Sequence, residues 1–162
     1  MLYETTLTTP VGPLRIIASD EGLRAVLWPD EAPDRVRLSE PTEENSGHPI
    51  VAAAAAQLTE YFAGTRTEFD LPLDVTGTAF QMACWRELSE IPYGSRISYG
   101  EQARRIDRPT AVRAVGVANG RNPISIVVPC HRVVASDGAL AGFAGGLGTK
   151  EWLLAHEAAG TT

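Results

Sequence analysis

The sequence lacks any long uninterrupted apolar run. No segment approaches the roughly 20 consecutive apolar residues that a membrane-spanning helix requires. The first ten residues, MLYETTLTTP, have neither the basic nor the apolar block of a secretory signal. These absences argue against a membrane protein and against export, so we expect a cytosolic location.

Cysteine is also scarce, because the chain of 162 residues holds only Cys84 and Cys130. Small secreted proteins that rely on disulfides use a denser cysteine framework. We therefore expect two free thiols in a reducing compartment. A composition that is 44% hydrophobic and 21% charged is ordinary for a soluble globular protein. The length predicts one or two compact domains.

Positive charge is in short supply overall, with a net charge of −6 at pH 7. This balance argues at first against nucleic acid, because duplex DNA is itself a polyanion. The halves differ, however. Residues 1–75 carry 13 acidic residues against 5 arginines, a balance of −8, whereas residues 76–162 carry 7 acidic against 9 basic residues, a balance of +2. Any DNA contact is therefore expected in the second half.

The first half has the pattern of strands followed by a helix. The runs LYETTLTT, LRIIAS and LRAVLW are separated by turn signals and predict a β-meander. Residues 29–47 are rich in Pro, Asp, Glu and Ser and predict an irregular connection. The alanine-rich run from Pro49 to Gly64 predicts a helix, and EFDLPLDV a further strand that Pro72 marks as an edge or irregular one.

The second half predicts helices. Thr78 and Gln81 fit a capping box, as do Ser98 and Glu101, and Thr110 is expected to cap a third helix that ends at Gly120. Two short helices separated by about three residues predict a helix-turn-helix, a motif found in DNA-binding proteins and in plain helical packing. We expect an α/β (α+β) fold with domains at 1–75 and 76–162.

The segment ISIVVPCHRVV, residues 124–134, carries the candidate chemistry. Its apolar run has strand character and leads to Cys130, with Pro129 before it. A thiol reacts as the thiolate and needs a nearby base or positive charge to ionise near neutral pH. His131 and Arg132 follow directly and are expected to supply it. A histidine base is usually oriented by a carboxylate, and Glu157 is the candidate. Cys84, on an apolar helix face, is expected to be structural.

Four motifs together make the resemblance specific. PCHRV is preceded by RAVGVANGRNPISIVV, with ISYGE upstream and GGLGTKEWLLAHE downstream. In this order and spacing, over roughly residues 76–157, the chain resembles the O6-alkylguanine-DNA alkyltransferase family, the methylated-DNA–protein-cysteine methyltransferases. The resemblance implies a ribonuclease H-like first domain and a winged helix-turn-helix-like second domain. It also implies irreversible, single-turnover transfer of an alkyl group from O6-alkylguanine in double-stranded DNA to the protein.

The resemblance assigns roles to individual residues. Cys130 matches the alkyl acceptor, His131 the base that takes its proton through a water, Glu157 the carboxylate that orients this base, and Tyr99 the hydroxyl that contacts guanine N3. Arg113 matches the arginine that fills the DNA stack after the damaged nucleotide is extruded. Further matches are DNA-contacting residues at Thr110, Ala114, Asn119 and Gly120, support of the site by Asn122 and Pro129, and a base pocket at Val133, Phe143 and Ala144.

The sequence departs from the family pattern in the base pocket and in metal ligands. Phe143 and Ala144 lack the hydroxyls of many relatives, although backbone N–H groups of this glycine-rich loop remain as donors to O6. The two cysteines and three histidines do not reproduce the zinc ligands of some relatives. We therefore expect no metal or other cofactor. We also expect a monomer, and cooperative binding along DNA stays open. Acceptance of O4-alkylthymine stays open.

Three other functions remain open from the residues alone. A lesion-recognition protein of the alkyltransferase-like kind would bind DNA without chemistry, but such relatives lack the acceptor cysteine. A cysteine hydrolase would use Cys130 and His131, although adjacent residues rarely place thiol and imidazole for acyl transfer. A helix-turn-helix regulator would make the PCHR segment accidental.

Overall fold

A computed structural model describes residues 1–160 of the chain. Two compact units separate between Val75 and Thr76. No helix in the described part of the chain is long and apolar enough to cross a bilayer. The mixed α/β class predicted from the sequence is confirmed.

The first unit is built on a four-stranded sheet. Strands β1 (Leu2–Thr9), β2 (Gly12–Ala18) and β3 (Leu23–Leu27) form the predicted antiparallel meander. Strand β4 (Thr42–Glu44) pairs in parallel with β1, so the order is β3-β2-β1-β4. The sequence had predicted an irregular connection at β4, because its three residues, Thr-Glu-Glu, carry no apolar alternation.

Helix α1 (Pro49–Phe62) covers the sheet. Its buried residues follow helical spacing: Val51, Ala54, Leu58 and Tyr61. The His48 side chain caps the helix by accepting a hydrogen bond from the Ile50 amide. Gly64 follows the helix with a φ of +80°, a conformation that glycine adopts without steric cost.

The strand predicted for EFDLPLDV is wrong. The segment makes only an isolated bridge between Leu73 and Leu23. The Leu23 amide donates to the Pro72 carbonyl at 2.8 Å, and the Asp74 amide donates to Leu23 at 2.9 Å. Pro72 has no N–H with which to extend a ladder. The segment also passes so close to Gly22 that a Cβ there would lie 2.7 Å from the Leu73 carbonyl carbon.

The second unit is mainly helical. Its helices are α2 (Ala79–Leu88), α3 (Tyr99–Arg105), α4 (Val112–Gly120) and α5 (Leu147–Gly160). Two short parallel strands, β5 (Ile97–Ser98) and β6 (Val133–Val134), form a separate sheet. Two of the predicted caps are present. Thr78 and Gln81 form a complete capping box, and the Ser98 hydroxyl accepts from the Glu101 amide.

The predicted cap at Thr110 is wrong. Helix α4 begins after Ala111, which makes no side-chain cap hydrogen bond. The connection from Ile106 to Ala111 is also longer than the predicted break, and Asp107 turns the chain with a φ of 60°. The start of α4 therefore has no side-chain cap.

A buried pair of amides joins α3 to α4. Gln102 Nε2 donates to Asn119 Oδ1 at 3.0 Å, and Asn119 Nδ2 donates to Gln102 Oε1 at 2.7 Å. Asn119 is 5% exposed. Both polar groups of its side chain are bound inside the protein, and its predicted contact with DNA stays a prediction.

Candidate active site

The segment before Cys130 is a series of turns, so the predicted strand over its apolar run is wrong. Val128 donates to the Ile124 carbonyl at 3.0 Å, and Cys130 donates to Val128 at 2.9 Å. Ile126 has a φ of 72°, which breaks an extended chain. A single 3₁₀ turn, Cys130–Arg132, follows. Pro129 is the residue just before this turn.

Asn122 ties these turns together. Its Nδ2 donates to the Val128 carbonyl at 2.8 Å, and its Oδ1 accepts from the Ile124 amide at 3.0 Å. The side chain is almost fully buried. It therefore links the residues that follow α4 to the residues that precede the thiol.

The pairing of β5 with β6 brings Tyr99 to Cys130. Ser98 lies opposite Val134, just beyond the 3₁₀ turn, and Tyr99 is the next residue along the chain. Burial and the charge of the Cys130 thiolate raise the pKa of the Tyr99 hydroxyl. Tyr99 therefore keeps its proton and can act as a hydrogen-bond donor beside the thiol.

The buried face of helix α5 carries both apolar and ionisable side chains. Its buried residues are Lys150, Leu153, Leu154 and Glu157. Their spacing of three, four and seven places them on one face of the helix. Two ionisable groups thus share the inward face of α5.

His131 and Glu157 form a buried pair. The distance from His131 Nε2 to Glu157 Oε2 is 2.6 Å, and the side chains are 0% and 1% exposed. A carboxylate only accepts hydrogen bonds, so Nε2 carries the imidazole proton. Nδ1 of His131 is buried and has no hydrogen-bond partner among the described residues. The imidazole is thus oriented with its basic nitrogen still open.

Burial and the neighbouring charges together set the protonation of this pair. Burial lowers the pKa of His131, an effect that the charge of Glu157 opposes and those of Arg132 and Lys150 reinforce. Burial alone would raise the pKa of the Glu157 carboxyl, but its interactions with His131 and Arg132 outweigh this and lower it. Near pH 7 the pair is a neutral imidazole beside a carboxylate.

Arg132 does not serve the thiol as the sequence predicted. Its Nε donates to Glu157 Oε1 at 2.8 Å, and its Nη2 donates to Oε2 at 3.0 Å. Its Nη1 donates to the Ile91 carbonyl at 2.7 Å, and the guanidinium lies 5.7 Å from the centre of the Tyr93 ring. The guanidinium of Arg132 is therefore bound to the Glu157 carboxylate.

Lys150 is the cation near the thiol, and the sequence reasoning missed it. Its residue is fully buried, and Nζ lies 5.7 Å from the centre of the Tyr99 ring. Burial lowers the pKa of the Lys150 ammonium, whereas the Cys130 thiolate opposes this shift. A signal was available, because Lys150 is the only lysine in the chain and lies seven residues before Glu157.

The residues predicted to meet DNA lie mostly on the surface. Thr110, Arg113, Ala114 and Gly120 are exposed. The first three line one groove together with Thr78, Phe80 and Gln81. Asn119, as described above, lies inside.

The residues of the predicted base pocket lie in β6 and in the loop before α5, and their contact with a base stays a prediction. The Val133 side chain is fully buried in β6. Phe143 and Ala144 are half-buried in the loop before α5, and the Gly146 amide donates to the Phe143 carbonyl at 2.9 Å. The described residues contain no cluster of three or more His, Cys, Asp or Glu side chains placed to hold a metal ion.

Comparison with known families covers nearly the whole chain. Residues 2–75 match the ribonuclease-like domain of 6-O-methylguanine DNA methyltransferase, and residues 79–159 match the DNA binding domain of the same family. The chain belongs to the 6-O-methylguanine DNA methyltransferase family. The resemblance noted from the sequence motifs is confirmed.

Individual members of the methyltransferase family are similar over nearly their full length. The methylated-DNA–protein-cysteine methyltransferase of Shigella flexneri is 44% identical, over 96% of this chain and 95% of that protein. The Mycolicibacterium paratuberculosis protein of the same name is 45% identical, over 97% of this chain and 93% of that protein. The crystal structure of Mycobacterium tuberculosis OGT in complex with DNA has a TM-score of 0.90 at 40% identity, covering 98% of this chain and 94% of that one.

Proposed function

We propose that this protein repairs DNA by moving the alkyl group of O6-alkylguanine onto Cys130, and that each molecule acts once. The observation that carries the proposal is the buried His131–Glu157 pair beside Cys130, with the basic nitrogen of His131 open. Membership of the methyltransferase family supports it.

Activation of the thiol is the first step. The proton of the Cys130 thiol passes through one water to Nδ1 of His131, while Nε2–H stays bonded to Glu157. The ammonium of Lys150 stabilises the resulting thiolate. Arg132 is bound to Glu157 and makes no direct contribution to the thiol.

Transfer is a substitution at the alkyl carbon. The sulfur–carbon bond forms while the bond from carbon to guanine O6 breaks, and the bonding electron pair stays on the guanine. Tyr99 donates a hydrogen bond to guanine N3 and stabilises the charge that develops there. The product is a thioether on Cys130. It has no good leaving group, which explains a single turnover.

The DNA partner is double-stranded, so the damaged nucleotide must leave the stack before the thiol can reach it. The exposed Arg113 near the start of α4 fills the gap, and Thr110, Ala114 and Gly120 lie on the surface near it. We assign DNA binding and alkyl acceptance to residues 76–162. We further propose that the protein acts as a monomer in the cytosol, where its two thiols stay reduced.

A titration of alkylated DNA against the protein tests this function. We expect one O6-methylguanine to be lost for each protein molecule, with no further turnover. Cys130→Ser should remove no methyl groups and still bind DNA, whereas the control Cys84→Ser should keep full stoichiometry. Burial raises the pKa of the Cys84 thiol to about 11, so that cysteine is a poor nucleophile. Repeated turnover would favour a hydrolase, and binding without loss would favour a lesion reader.

A further inference from the structure

The carboxylate of Glu157 has more donors around it than orienting one histidine requires. Oε1 accepts from Arg132 Nε at 2.8 Å and from the Gly94 amide at 3.3 Å. Oε2 accepts from His131 Nε2 at 2.6 Å and from Arg132 Nη2 at 3.0 Å. Both oxygens are therefore shared between Arg132 and a second donor, and the charge of the carboxylate already has a cationic partner.

The positive charge of Arg132 affects where the proton of the buried His131–Glu157 pair resides. A carboxylate buried beside an imidazole, with no other cation, favours the imidazolium, because an isolated buried negative charge is costly. An imidazolium holds protons on both ring nitrogens and cannot take one from a thiol. The arginine cation makes the carboxylate stable without an imidazolium.

We propose that Arg132 is a positioning residue that keeps His131 neutral, and so able to accept the thiol proton, by compensating the charge of Glu157. The inference rests on the proposed function, because it concerns the base of the same reaction. It gives the arginine of the Pro-Cys-His-Arg segment a role distinct from contact with the thiol or the substrate.

The geometry of the guanidinium suits this task. Its fork binds both carboxylate oxygens, and its remaining nitrogen, Nη1, donates to the Ile91 carbonyl at 2.7 Å. Its face lies over the Tyr93 ring. A lysine carries the same charge but cannot form a two-pronged contact, so Arg132→Lys separates charge from geometry.

The charged groups that act on His131 come from two elements. Arg132 lies in the same 3₁₀ turn, while Glu157 and Lys150 lie on α5. Arg132 and Lys150 both disfavour a positive imidazole, and Glu157 favours it. Helix α2 also packs against the turn, and its buried Cys84 is uncharged near neutral pH. Removal of Arg132 therefore leaves burial and Lys150 to oppose Glu157, with one positive charge fewer beside the imidazole.

The pH profile of transfer tests the proposal, with the free base O6-benzylguanine as substrate so that DNA affinity does not enter. We expect the rate of the wild-type protein to stay level as the pH falls through 6.5, the ordinary value for histidine. In Arg132→Met the pH at which the rate begins to fall should lie about one unit higher, so that the loss relative to wild type grows as the pH falls and approaches about tenfold below both limbs. At pH 8.5 most of that loss should be recovered.

Two further variants control for damage to the fold. Arg132→Met combined with Glu157→Gln removes both charges, so its acidic limb should return to the wild-type position or below. Arg132→Lys should show an intermediate limb. If Arg132→Met fails to fold, Arg132→Lys and the double variant still test the proposal. The acidic limb of Arg132→Lys should lie at a higher pH than that of the double variant. Identical limbs in all variants, or a loss that is constant with pH, would show a purely structural arginine.

Histidine NMR on the unreacted protein separates this inference from the proposed function. We expect the His131 ring to be neutral with its proton on Nε2 from pH 8 down to pH 6 in the wild type, and to protonate at higher pH in Arg132→Lys than in the wild type. An unchanged His131 titration overturns the role of Arg132. Failure of the wild-type protein to take up a benzyl group overturns the proposed function, whatever the titration shows.

Discussion

The role of Tyr99 depends on one oxygen atom. Tyr99→Phe removes the hydroxyl and keeps the ring against which Lys150 lies. Loss of one preorganised donor to a developing negative charge typically slows a reaction by about 10² to 10³. We expect a loss of this size in the rate of transfer from O6-methylguanine DNA, with DNA affinity unchanged. A rate within about twofold of wild type in single-turnover assays would remove Tyr99 from the chemistry.

Arg113 separates a DNA repair protein from a generic reactive thiol. If it occupies the gap left by the extruded nucleotide, Arg113→Ala should slow transfer from duplex O6-methylguanine and leave transfer from free O6-benzylguanine unchanged. If it only contacts phosphate, the variant should bind all DNA more weakly, with a salt slope smaller by about one counterion. Rates on both substrates at two salt concentrations decide. Rescue on duplex DNA by low salt alone would contradict extrusion.

At the scale of single residues, the sequence predicted the site best where the chemistry requires a particular residue type. A thiol, an imidazole and a carboxylate were predicted as one group, and the structure brings His131 and Glu157 to 2.6 Å. The prediction was weaker where burial decides. The buried Lys150 was overlooked, and the pairing of Asn119 with Gln102 was not foreseen. Residue type alone reveals neither the burial of Lys150 nor the pairing of Asn119 with Gln102.

Two threonines at the starts of helices give a matched test at the scale of elements. The Thr78 hydroxyl accepts from the Gln81 amide at 3.1 Å and caps α2, whereas the N-cap of α4 is Ala111, which makes no side-chain cap hydrogen bond. Thr78→Ala should lower the free energy of unfolding by about 1 kcal/mol. The control Thr110→Ala should lower it by less than about 0.5 kcal/mol. Urea unfolding measures both, and equal losses would contradict the assignment of the caps.

Elements were predictable where their signals are local. The caps at Thr78 and Ser98 each lie within four residues, and the meander strands are bounded by turns. The apolar run before Cys130 has strand composition but folds as turns, because Asn122 bonds to its backbone at two points and Ile126 adopts a left-handed conformation. Those tertiary contacts outweigh the local β-propensity.

At the scale of the whole molecule, the alkylated product should be less stable than the free protein. Cys130 is 8% exposed, and a methyl group on its sulfur adds volume within a close-packed site. Overpacking typically costs about 1–3 kcal/mol. We expect a lower Tm after reaction with O6-methylguanine DNA and removal of the DNA, and no change for Cys130→Ser treated in the same way. An unchanged or higher Tm would contradict this.

The distribution of charge belongs to the same scale. The net charge of −6 describes the average of an acidic first half and a slightly basic second half. Whole-chain charge is therefore a poor guide to binding here. The division between residues 1–75 and 76–162 was more informative, because the positive balance lies in the half that carries α3 and α4.

The most direct test of the account locates the transferred group. The protein is mixed with duplex DNA that carries a trideuteriomethyl group on O6 of one guanine, then digested and mapped by mass spectrometry. We predict one labelled methyl group per molecule, on the peptide that contains Cys130, and none on the peptide that contains Cys84. Label on Cys84, or loss of the methyl group from DNA with no label on the protein, would contradict the account.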